Sequence, residues 1–384
     1  MENILHDLLL SPAWYYTAAR GVTLILIVMT IAGYSVLLER KASAWIQGRI
    51  GPNRTMHPLI GWIPFLGNFL QKGGFIQPAA DGGKFLFKED ALPGHVRKPY
   101  YVLAPIVALA PALAVLVMLP FGEFFHEGKR YAVALTQGAD VGVLLMFAVS
   151  SLGVYGIALA GWSANSKFPF LGAVRGAAQL ISYELAMGLS VLTVFLATSV
   201  PGQDHGLSLL AMVDAQAGAW NILCHPVAAL VFLICVFAET NRHPFDMAEG
   251  EADLVGGFHT EYGAFKWGLF FVAEYAHMLI GSGVFTLLFL GGWNPLPWVS
   301  LATLAAWLAP LHPLLAHPVF VGVLSIGIFL GKVIALIFFF MWVRWTVPRF
   351  RYDQVMELGW RKLLPLSVAN LVFYAAAIAV IQTR

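Results

Sequence analysis

The sequence predicts an all-α, multi-pass membrane protein with eight transmembrane helices. Two observations predict this fold class. Apolar residues make up 59% of the 384-residue chain and charged residues only 11%, whereas soluble domains contain roughly 45–50% and 25%. The few charges are also unevenly placed, because basic residues gather in alternate loops between apolar runs.

Eight segments contain the predominantly apolar run of about 20 residues that a spanning helix needs. Their approximate bounds are 17–39, 100–120, 140–161, 176–199, 219–239, 266–290, 318–343 and 364–382. Residues 293–317 are also apolar, but Pro310 and Pro313 disfavour a straight helix, so we expect a re-entrant or outer-surface segment there. No repeat is visible, and residues 1–384 are predicted to form a single membrane domain. The first residues lack a basic region and a cleavage site, so we expect no removed signal peptide.

Loop charges predict the orientation. The loops after the first, third, fifth and seventh segments carry 18 of the 23 Lys and Arg residues. Basic loops stay on the cytoplasmic side of a membrane. We therefore expect large cytoplasmic loops and both termini on the outer (periplasmic) side.

One stretch past the middle of the chain, AETNRHPFDMAEGEADLVGGFHTEY (238–262), concentrates negative charge. It holds six of the 21 acidic residues: Glu239, Asp246, Glu249, Glu251, Asp253 and Glu261. A solvated acidic face is one interpretation, but apolar residues interleave with the acids, which indicates partial burial. Burial and neighbouring like charges raise the pKa of a carboxylate. The stretch is therefore a candidate proton path.

Three charged residues, Glu184, Glu274 and Lys332, fall within apolar segments. Charge inside a membrane is costly and is a functional candidate by default. A rise of 1.5 Å per residue puts all three near one level, around the middle of the membrane. Two interpretations stay open: a buried ion pair between Lys332 and one of the glutamates, or a chain of titratable groups, including His277, that carries protons.

Two other features concern binding. ERKASAWIQGRIGPNR (39–54) places basic residues at the membrane surface, which topology alone can explain, while its glycines indicate a shaped backbone. The cysteines, Cys224 and Cys235, match no zinc motif and are too few for an iron–sulfur cluster. We expect both to be buried and predict no metal site on this chain, with any redox metal on another chain.

Five segments together resemble the signature segments of the H-subunit family of respiratory complex I, the proton-pumping NADH:quinone oxidoreductase. They are ERKASAWIQGRIGPNR, QPAADGGKFLFKED, ISYELAMG, FAETNRHPFDMAEGEADLVGGFHTEY and RWTVPRFRYDQVMELGWRKLLPL. The resemblance implies an eight-helix subunit of a bacterial inner membrane, at the junction of the membrane and peripheral arms. It implies quinone (ubiquinone or menaquinone) as the substrate, with NADH, FMN and Fe–S clusters on partner subunits only. The implied partners are other complex I subunits and the lipid bilayer, with no nucleic acid.

The resemblance also implies roles for particular residues. The residues that it assigns to the quinone chamber are Glu39, Arg40, Arg49, Asp81 and Arg242. Those that it assigns to the proton path are Glu184, Glu239, Asp246, Glu249, Glu251, Asp253 and Glu274. At position 253 the family commonly has glutamate. The chain also departs from the family by 22 residues (55–76) between GPNR and QPAAD, near the expected quinone entrance.

Alternative functions are the homologous membrane subunit of an energy-converting hydrogenase, a stand-alone proton or ion transporter, and a structural anchor for the peripheral arm. Intact GPNR and PFDMAEGE segments favour the quinone enzyme over the hydrogenase. The inverted repeat of many transporters is not visible. Buried acids would serve no purpose in an anchor.

Overall fold

A computed structural model describes residues 14–55, 64–126, 129–134, 142–198, 208–308, 310 and 317–382. The helices of this part of the chain are α1 (Trp14–Ile46), α2 (Pro64–Gly73), α3 (Gln77–Phe87), α4 (Lys98–Met118), α5 (Gly142–Ser150), α6 (Gly153–Ser163), α7 (Lys167–Thr198), α8 (Leu209–Ala215), α9 (Asn221–Cys224), α10 (Pro226–Glu239), α11 (Glu251–Leu254), α12 (Ala264–Phe289), α13 (Leu301–Leu308), α14 (Pro318–Thr346), α15 (Tyr352–Glu357) and α16 (Leu364–Gln382). A 3₁₀ turn (Gly257–His259) and a π-helical turn (Leu358–Leu363) complete the helical elements.

Seven helical segments of the described chain are long and apolar enough to cross a membrane. They are Ala18–Ile46, Lys98–Met118, Gly142–Ser163, Lys167–Ala197, Ala264–Phe289, Pro318–Thr346 and Tyr352–Val380. Each overlaps one of the predicted spans, and the multi-pass membrane class is confirmed. The remaining predicted span, 219–239, contains α10, which has 14 residues. At 1.5 Å per residue α10 is about 21 Å long. The short helix α9 precedes it, and the two are separated at Pro226, because proline has no N–H to continue a helix.

Two helices extend farther into the basic loops than their apolar runs predict. Helix α1 continues to Ile46 rather than ending near 39, and α7 begins at Lys167 rather than near 176. The third predicted span is two helices, because the chain turns between Ser150 of α5 and Gly153 of α6. Polar partners and local turns, which hydropathy does not register, set these bounds.

The all-α prediction needs one correction, since two short strands follow α4. Strands β1 (Glu123–His126) and β2 (Lys129–Ala132) pair antiparallel, with Glu123 opposite Ala132. Ser325 of α14 holds this hairpin: its hydroxyl accepts from the Glu123 N–H at 3.1 Å and donates to the Glu123 carbonyl at 3.0 Å. A strand edge needs such partners because its backbone groups are otherwise unpaired.

The core forms where α7 packs against α6, α10 and α16, and α12 packs against α1, α4 and α14. Small residues set the closest approach. A Cβ on Gly156 of α6 would lie 2.6 Å from the backbone of Ala108 of α4. Small residues allow membrane helices to pack at this distance, so this crossing requires glycine.

Of the two interpretations of the buried charges, the ion pair between Lys332 and Glu184 or Glu274 is wrong. Lys332 of α14 donates to the carbonyls of Leu290, Gly292 and Asn294 at 2.6, 3.0 and 2.5 Å. Leu290 follows Glu274 by a helical rise of about 24 Å, so the prediction that Lys332 lies level with Glu274 is also wrong. The last carbonyls of a helix lack internal partners and carry partial negative charge. An ammonium is therefore satisfied there without a carboxylate.

Three further sequence expectations have different outcomes. Helix α13, within the apolar segment 293–317, has eight residues and is too short to span, while 309 and 311–316 lie outside the described residues. In the 55–76 segment, α2 follows residues 56–63, which also lie outside the described part. Cys235 is buried as expected, but Cys224 is exposed, because it lies at the end of the short helix α9. The first 13 residues, the subject of the signal-peptide expectation, are not described.

Candidate functional site: an acidic cavity beside a buried arginine

A buried arginine, Arg242, joins three parts of the chain: the loop after α10, α1 and α12. It lies in the loop after α10 and is 2% exposed. Its Nη1 donates to Glu39 of α1 at 2.6 Å, and its Nε forms an ion pair with Glu274 of α12. The guanidinium lies 4.2 Å from the centre of the Tyr275 ring. A buried charge is costly unless it is paired, so the two carboxylates and the ring keep Arg242 in place.

Glu39 accepts hydrogen bonds from three side chains, more than a single ion pair provides. It accepts from Arg242, from Arg344 Nη1 at 2.5 Å and from the Tyr275 hydroxyl, and it is 6% exposed. These contacts explain why α1 continues past the apolar run, since the charge at its end is neutralised. Arg242, Glu39, Glu274, Tyr275 and Arg344 form what we call the arginine network.

One cavity brings four predicted carboxylates together. The acidic loop is the part of the acidic stretch that follows α10, residues 240–262. The lining of the cavity includes Glu184 of α7, Glu239 of α10, Glu249 of the acidic loop and Glu274 of α12. The empty volume is about 780 Å³. Ser150 of α5 also lines it and donates to Glu239 Oε1 at 2.5 Å. We call this space the acidic cavity.

A second cavity adjoins the acidic cavity on the side away from the acidic loop. The two share the side chains of Ser150, Met187, Glu239, Thr240 and His277, and the second has an empty volume of about 440 Å³. Its remaining lining is mostly apolar. Gly153 of α6 packs beside His277, because a Cβ there would be in van der Waals contact with its Nε2 at 3.4 Å. His277 therefore lies between a polar and an apolar space.

Four apolar residues of the acidic loop are buried as predicted, each at most 5% exposed: Phe245, Met247, Leu254 and Phe258. Val255, by contrast, is 66% exposed. Much of the loop is therefore packed against the helices, and the interpretation as a wholly solvated acidic face is wrong.

Electrostatics in this loop favour protonated carboxylates. Burial raises the pKa of Asp246, although Arg349, its ion-pair partner, opposes that shift. For Glu249, burial and the negative charges of Glu274 and Asp246 raise the pKa well above the ordinary glutamate value, against the opposing charges of nearby arginines. The Glu249 side chain remains 29% exposed. A carboxylate with a raised pKa and access to a cavity can accept and release protons near neutral pH.

Other predicted site residues lie outside the acidic cavity. Asp253 is 66% exposed and pairs with Arg175 Nη1 at 3.6 Å. Arg40 pairs with Asp81 at 2.8 Å, joining α1 to α3. Arg49 donates to its neighbour Gln47. The side chain of Glu251 lies outside the described residues, although its backbone begins α11.

Sequence reasoning missed several residues of the site, namely Ser150, Tyr275, Arg344, Arg349 and His259. Arg344 and Arg349 were assigned to topology with the other basic loop residues. The position of Tyr275, next to an intramembrane glutamate, was the available signal for it. Ser150 gave no signal, because its role depends on the turn between α5 and α6. Among the described residues, no group of three or more His, Cys, Asp or Glu side chains could hold a metal ion.

The fold and cavity define a class: a multi-pass membrane protein whose buried carboxylates line an internal space. A family model described as NADH dehydrogenase matches residues 20–375, and the chain belongs to that family. The NADH-quinone oxidoreductase H subunit of Flavobacterium johnsoniae is 41% identical over 358 residues, which cover 92% of each chain. Subunit 8 of the same enzyme from Rhodothermus marinus is 40% identical, over 95% of this chain and 98% of the relative. The H subunit of Leptospira biflexa is 42% identical, over 94% and 95%. The family resemblance expected from the sequence is confirmed.

Proposed function

We propose that the chain is the membrane subunit of an NADH:quinone oxidoreductase that lines the quinone chamber and passes protons through buried carboxylates. The observation that carries this proposal is the acidic cavity. Three parts of the chain that are distant in sequence contribute four carboxylates to it: Glu184 of α7, Glu239 and Glu249 of the stretch 238–262, and Glu274 of α12. Buried carboxylates within a membrane mark proton routes, and Glu274 belongs also to the arginine network.

We assign the cytoplasmic end of α1 to the quinone chamber. Arg242 and Glu39 belong to the arginine network, and Arg40 pairs with Asp81 of α3, which packs against α1 and α12. With Arg49 these residues supply polar groups for a quinone head group at the membrane surface. Electrons reach the quinone from NADH through FMN and Fe–S clusters on partner subunits. This chain supplies binding groups and protons.

The proposed coupling step is a proton movement within the acidic loop and cavity. Reduction of a quinone to a quinol consumes two electrons and two protons, so the protonation of nearby carboxylates must change. Burial and negative neighbours raise the pKa of Glu249, while the charges of Arg344 and Arg242 oppose this shift. A change of charge beside the arginine network therefore shifts the proton of Glu249 relative to Glu274 and the rest of the cavity. We place Asp246, Glu251 and Asp253 at the aqueous end of this path.

We further propose that the subunit is a single domain of eight spans in a bacterial inner membrane. The eighth span combines α9 and α10, and both termini face the outer side. The basic loops, and with them the arginine network, then face the cytoplasm. Its partners are peripheral-arm subunits at the quinone site, Fe–S subunits and neighbouring membrane subunits.

The test is replacement of Glu274 by Gln in the chromosomal copy, with purification of the whole complex. We expect assembly and electron input from NADH to an artificial acceptor to persist. Coupled NADH:quinone turnover and proton pumping should fall by about tenfold or more, since general acid–base groups contribute about 10²–10⁴-fold. Glu251→Gln should behave in the same way. Glu357→Gln, at an exposed glutamate paired with Arg361, is the matched control.

Full activity with full pumping in both cavity-path variants would overturn the proposal. Purification of the tagged chain in mild detergent separates the other functions. NADH-driven reduction of a short-chain quinone by the purified assembly supports the proposed enzyme. Hydrogen- or formate-linked activity would instead assign the chain to an energy-converting hydrogenase, and a lone polypeptide without redox partners would favour a transporter.

A further inference from the structure

We propose that His259 takes up protons from the cytoplasmic side and delivers them to Glu249, so that it feeds the acidic cavity. This inference rests on the proposed proton path and adds its aqueous end. His259 closes the 3₁₀ turn Gly257–His259, and its Nδ1 lies 3.6 Å from Glu249 Oε1. Its side chain is 19% exposed. It is therefore in contact with solvent and lies beside a carboxylate that lines the cavity.

The distance between the two side chains suits intermittent transfer. A direct N–H···O hydrogen bond spans about 2.7–3.2 Å. The distance of 3.6 Å from His259 Nδ1 to Glu249 Oε1 is a few tenths of an ångström longer than such a bond. A rotation of either side chain, or one bridging water, closes this gap. A permanent ion pair would hold the proton, whereas a gap of this size lets the imidazole exchange with water between transfers.

Backbone contacts fix the turn against Glu249. The Phe258 N–H donates to the carbonyl of Ala248 at 3.2 Å. Gly257 has φ +59°, and a Cβ on it would lie 1.9 Å from that carbonyl oxygen. Only glycine tolerates both the conformation and the contact. The turn therefore lies directly on the chain that carries Glu249, and His259 cannot move away without breaking it.

Aromatic rings orient the imidazole. The Phe258 ring meets it edge-on at 5.1 Å between centroids, and the Trp267 ring of α12 meets it at 6.2 Å. Trp267 packs in turn against Phe85 of α3 at 5.6 Å. These rings pack against the imidazole, while its Nδ1 lies near Glu249.

Several elements packed around the His259–Glu249 pair contribute charged groups. Glu249 is subject to Asp246 and Arg242 from its own loop, Glu274 from α12 and Arg344 from α14. Helix α7, which packs against the turn, brings Arg175, and Arg175 is paired with Asp253. An imidazole ordinarily titrates near pH 6.5, about two units above an ordinary glutamate. Burial and negative neighbours raise the pKa of Glu249 well above the ordinary glutamate value, which makes this carboxylate a better proton acceptor than an exposed glutamate.

The proposed transfer is balanced without another reactant. The imidazolium loses its Nδ1 proton to Glu249 Oε1, which leaves a neutral imidazole and a neutral carboxylic acid. The ring then takes another proton from water. The net result is one proton moved from the cytoplasmic solvent to Glu249.

The experiment compares His259→Gln and His259→Ala in the assembled complex, with NADH:quinone turnover measured across pH. We expect turnover near neutral pH to fall by about tenfold, below the 10²–10⁴-fold of obligatory acid–base groups because water substitutes in part. The pH profile should change shape in both variants. Added imidazole should restore turnover in His259→Ala. His95→Gln is the matched control, because His95 is a cytoplasmic histidine beside a carboxylate, 3.5 Å from Glu261.

Wild-type turnover and pH profile in His259→Gln would overturn the inference. So would a loss of turnover with an unchanged pH profile and no effect of imidazole, because that pattern indicates a structural role. Glu274→Gln keeps the two proposals distinguishable. If Glu274→Gln uncouples the enzyme while both His259 variants behave as wild type, the proton path stands and only the role of His259 fails.

Discussion

Glu249 shows, at the scale of one residue, how the fold sets a proton affinity. Its pKa is raised by burial and by the charges of Glu274 and Asp246, so the folded protein prefers the protonated form. This preference stabilises the fold fully below the ordinary glutamate pKa of about 4.3. The stabilisation is lost as pH rises through the raised pKa. Glutamine resembles the protonated form at every pH.

Glu249→Gln should therefore stabilise the protein increasingly as pH rises. We expect its thermal midpoint to match wild type in acid and to exceed it progressively as pH rises above the ordinary glutamate pKa of about 4.3. Thermal unfolding of the purified complex at several pH values measures this difference. Glu357→Gln removes an exposed carboxylate and serves as the control. A difference that stays constant with pH, or that shrinks as pH rises, would contradict the assignment.

Which individual residues the sequence can reveal depends on what surrounds them. Glu184 and Glu274 stand out because a charge in an apolar run is costly, and both line the acidic cavity. Asp253 does not line it, because α11 directs this side chain to Arg175 and solvent. Side-chain direction in an irregular loop depends on its backbone, which hydropathy and spacing do not encode.

Among the elements, α12 illustrates how a helix end is satisfied from outside. The carbonyl of Leu290, which caps α12, and the carbonyls of Gly292 and Asn294 in the following turn accept hydrogen bonds from the Lys332 ammonium. This ammonium also lies 4.3 Å from the centre of the Trp220 ring. The sequence showed that Lys332 was buried but could not show its partners. Carboxylates were the obvious partners, yet backbone carbonyls at a helix end serve equally well.

Lys332→Met should destabilise the subunit without affecting coupling. Loss of the ammonium leaves buried carbonyls unpaired, at a cost of about 1–3 kcal/mol. We expect a lower thermal midpoint with an unchanged number of protons pumped per electron. Lys362→Met, at an exposed lysine of the π-helical turn Leu358–Leu363, is the control. Reduced pumping at unchanged stability would return Lys332 to the proton route.

For the whole molecule, hydropathy located seven spans and loop charge predicted an orientation. The hairpin β1–β2 and the break between α5 and α6 were not predicted, because both depend on tertiary contacts such as that of Ser325 with Glu123. The likeness of the cavity residues to a known family supplied the rest of the candidate site. Composition alone would have indicated only a membrane protein with buried charge.

Orientation is testable by cysteine labelling in membrane vesicles. In a Cys224→Ser background, Gln354→Cys, an exposed residue of α15, should react with an impermeant maleimide in inverted vesicles only. Leu296→Cys, at a residue that is 60% exposed before α13, should react in right-side-out vesicles only. Cys235 is buried and gives the background signal. The reverse pattern would place both termini in the cytoplasm.

The arginine network has a consequence for synthesis. Glu39 bonds to Arg242 and Arg344, which follow it by 203 and 305 positions. At a translation rate of about 5–20 residues per second, Arg344 leaves the ribosome about 15–60 s after Glu39. The arginine network therefore stays incomplete until α14 has been made. The charges around Glu39 are balanced fully only then, so the order of translation delays the assembly of this end of the protein until the membrane part is nearly whole.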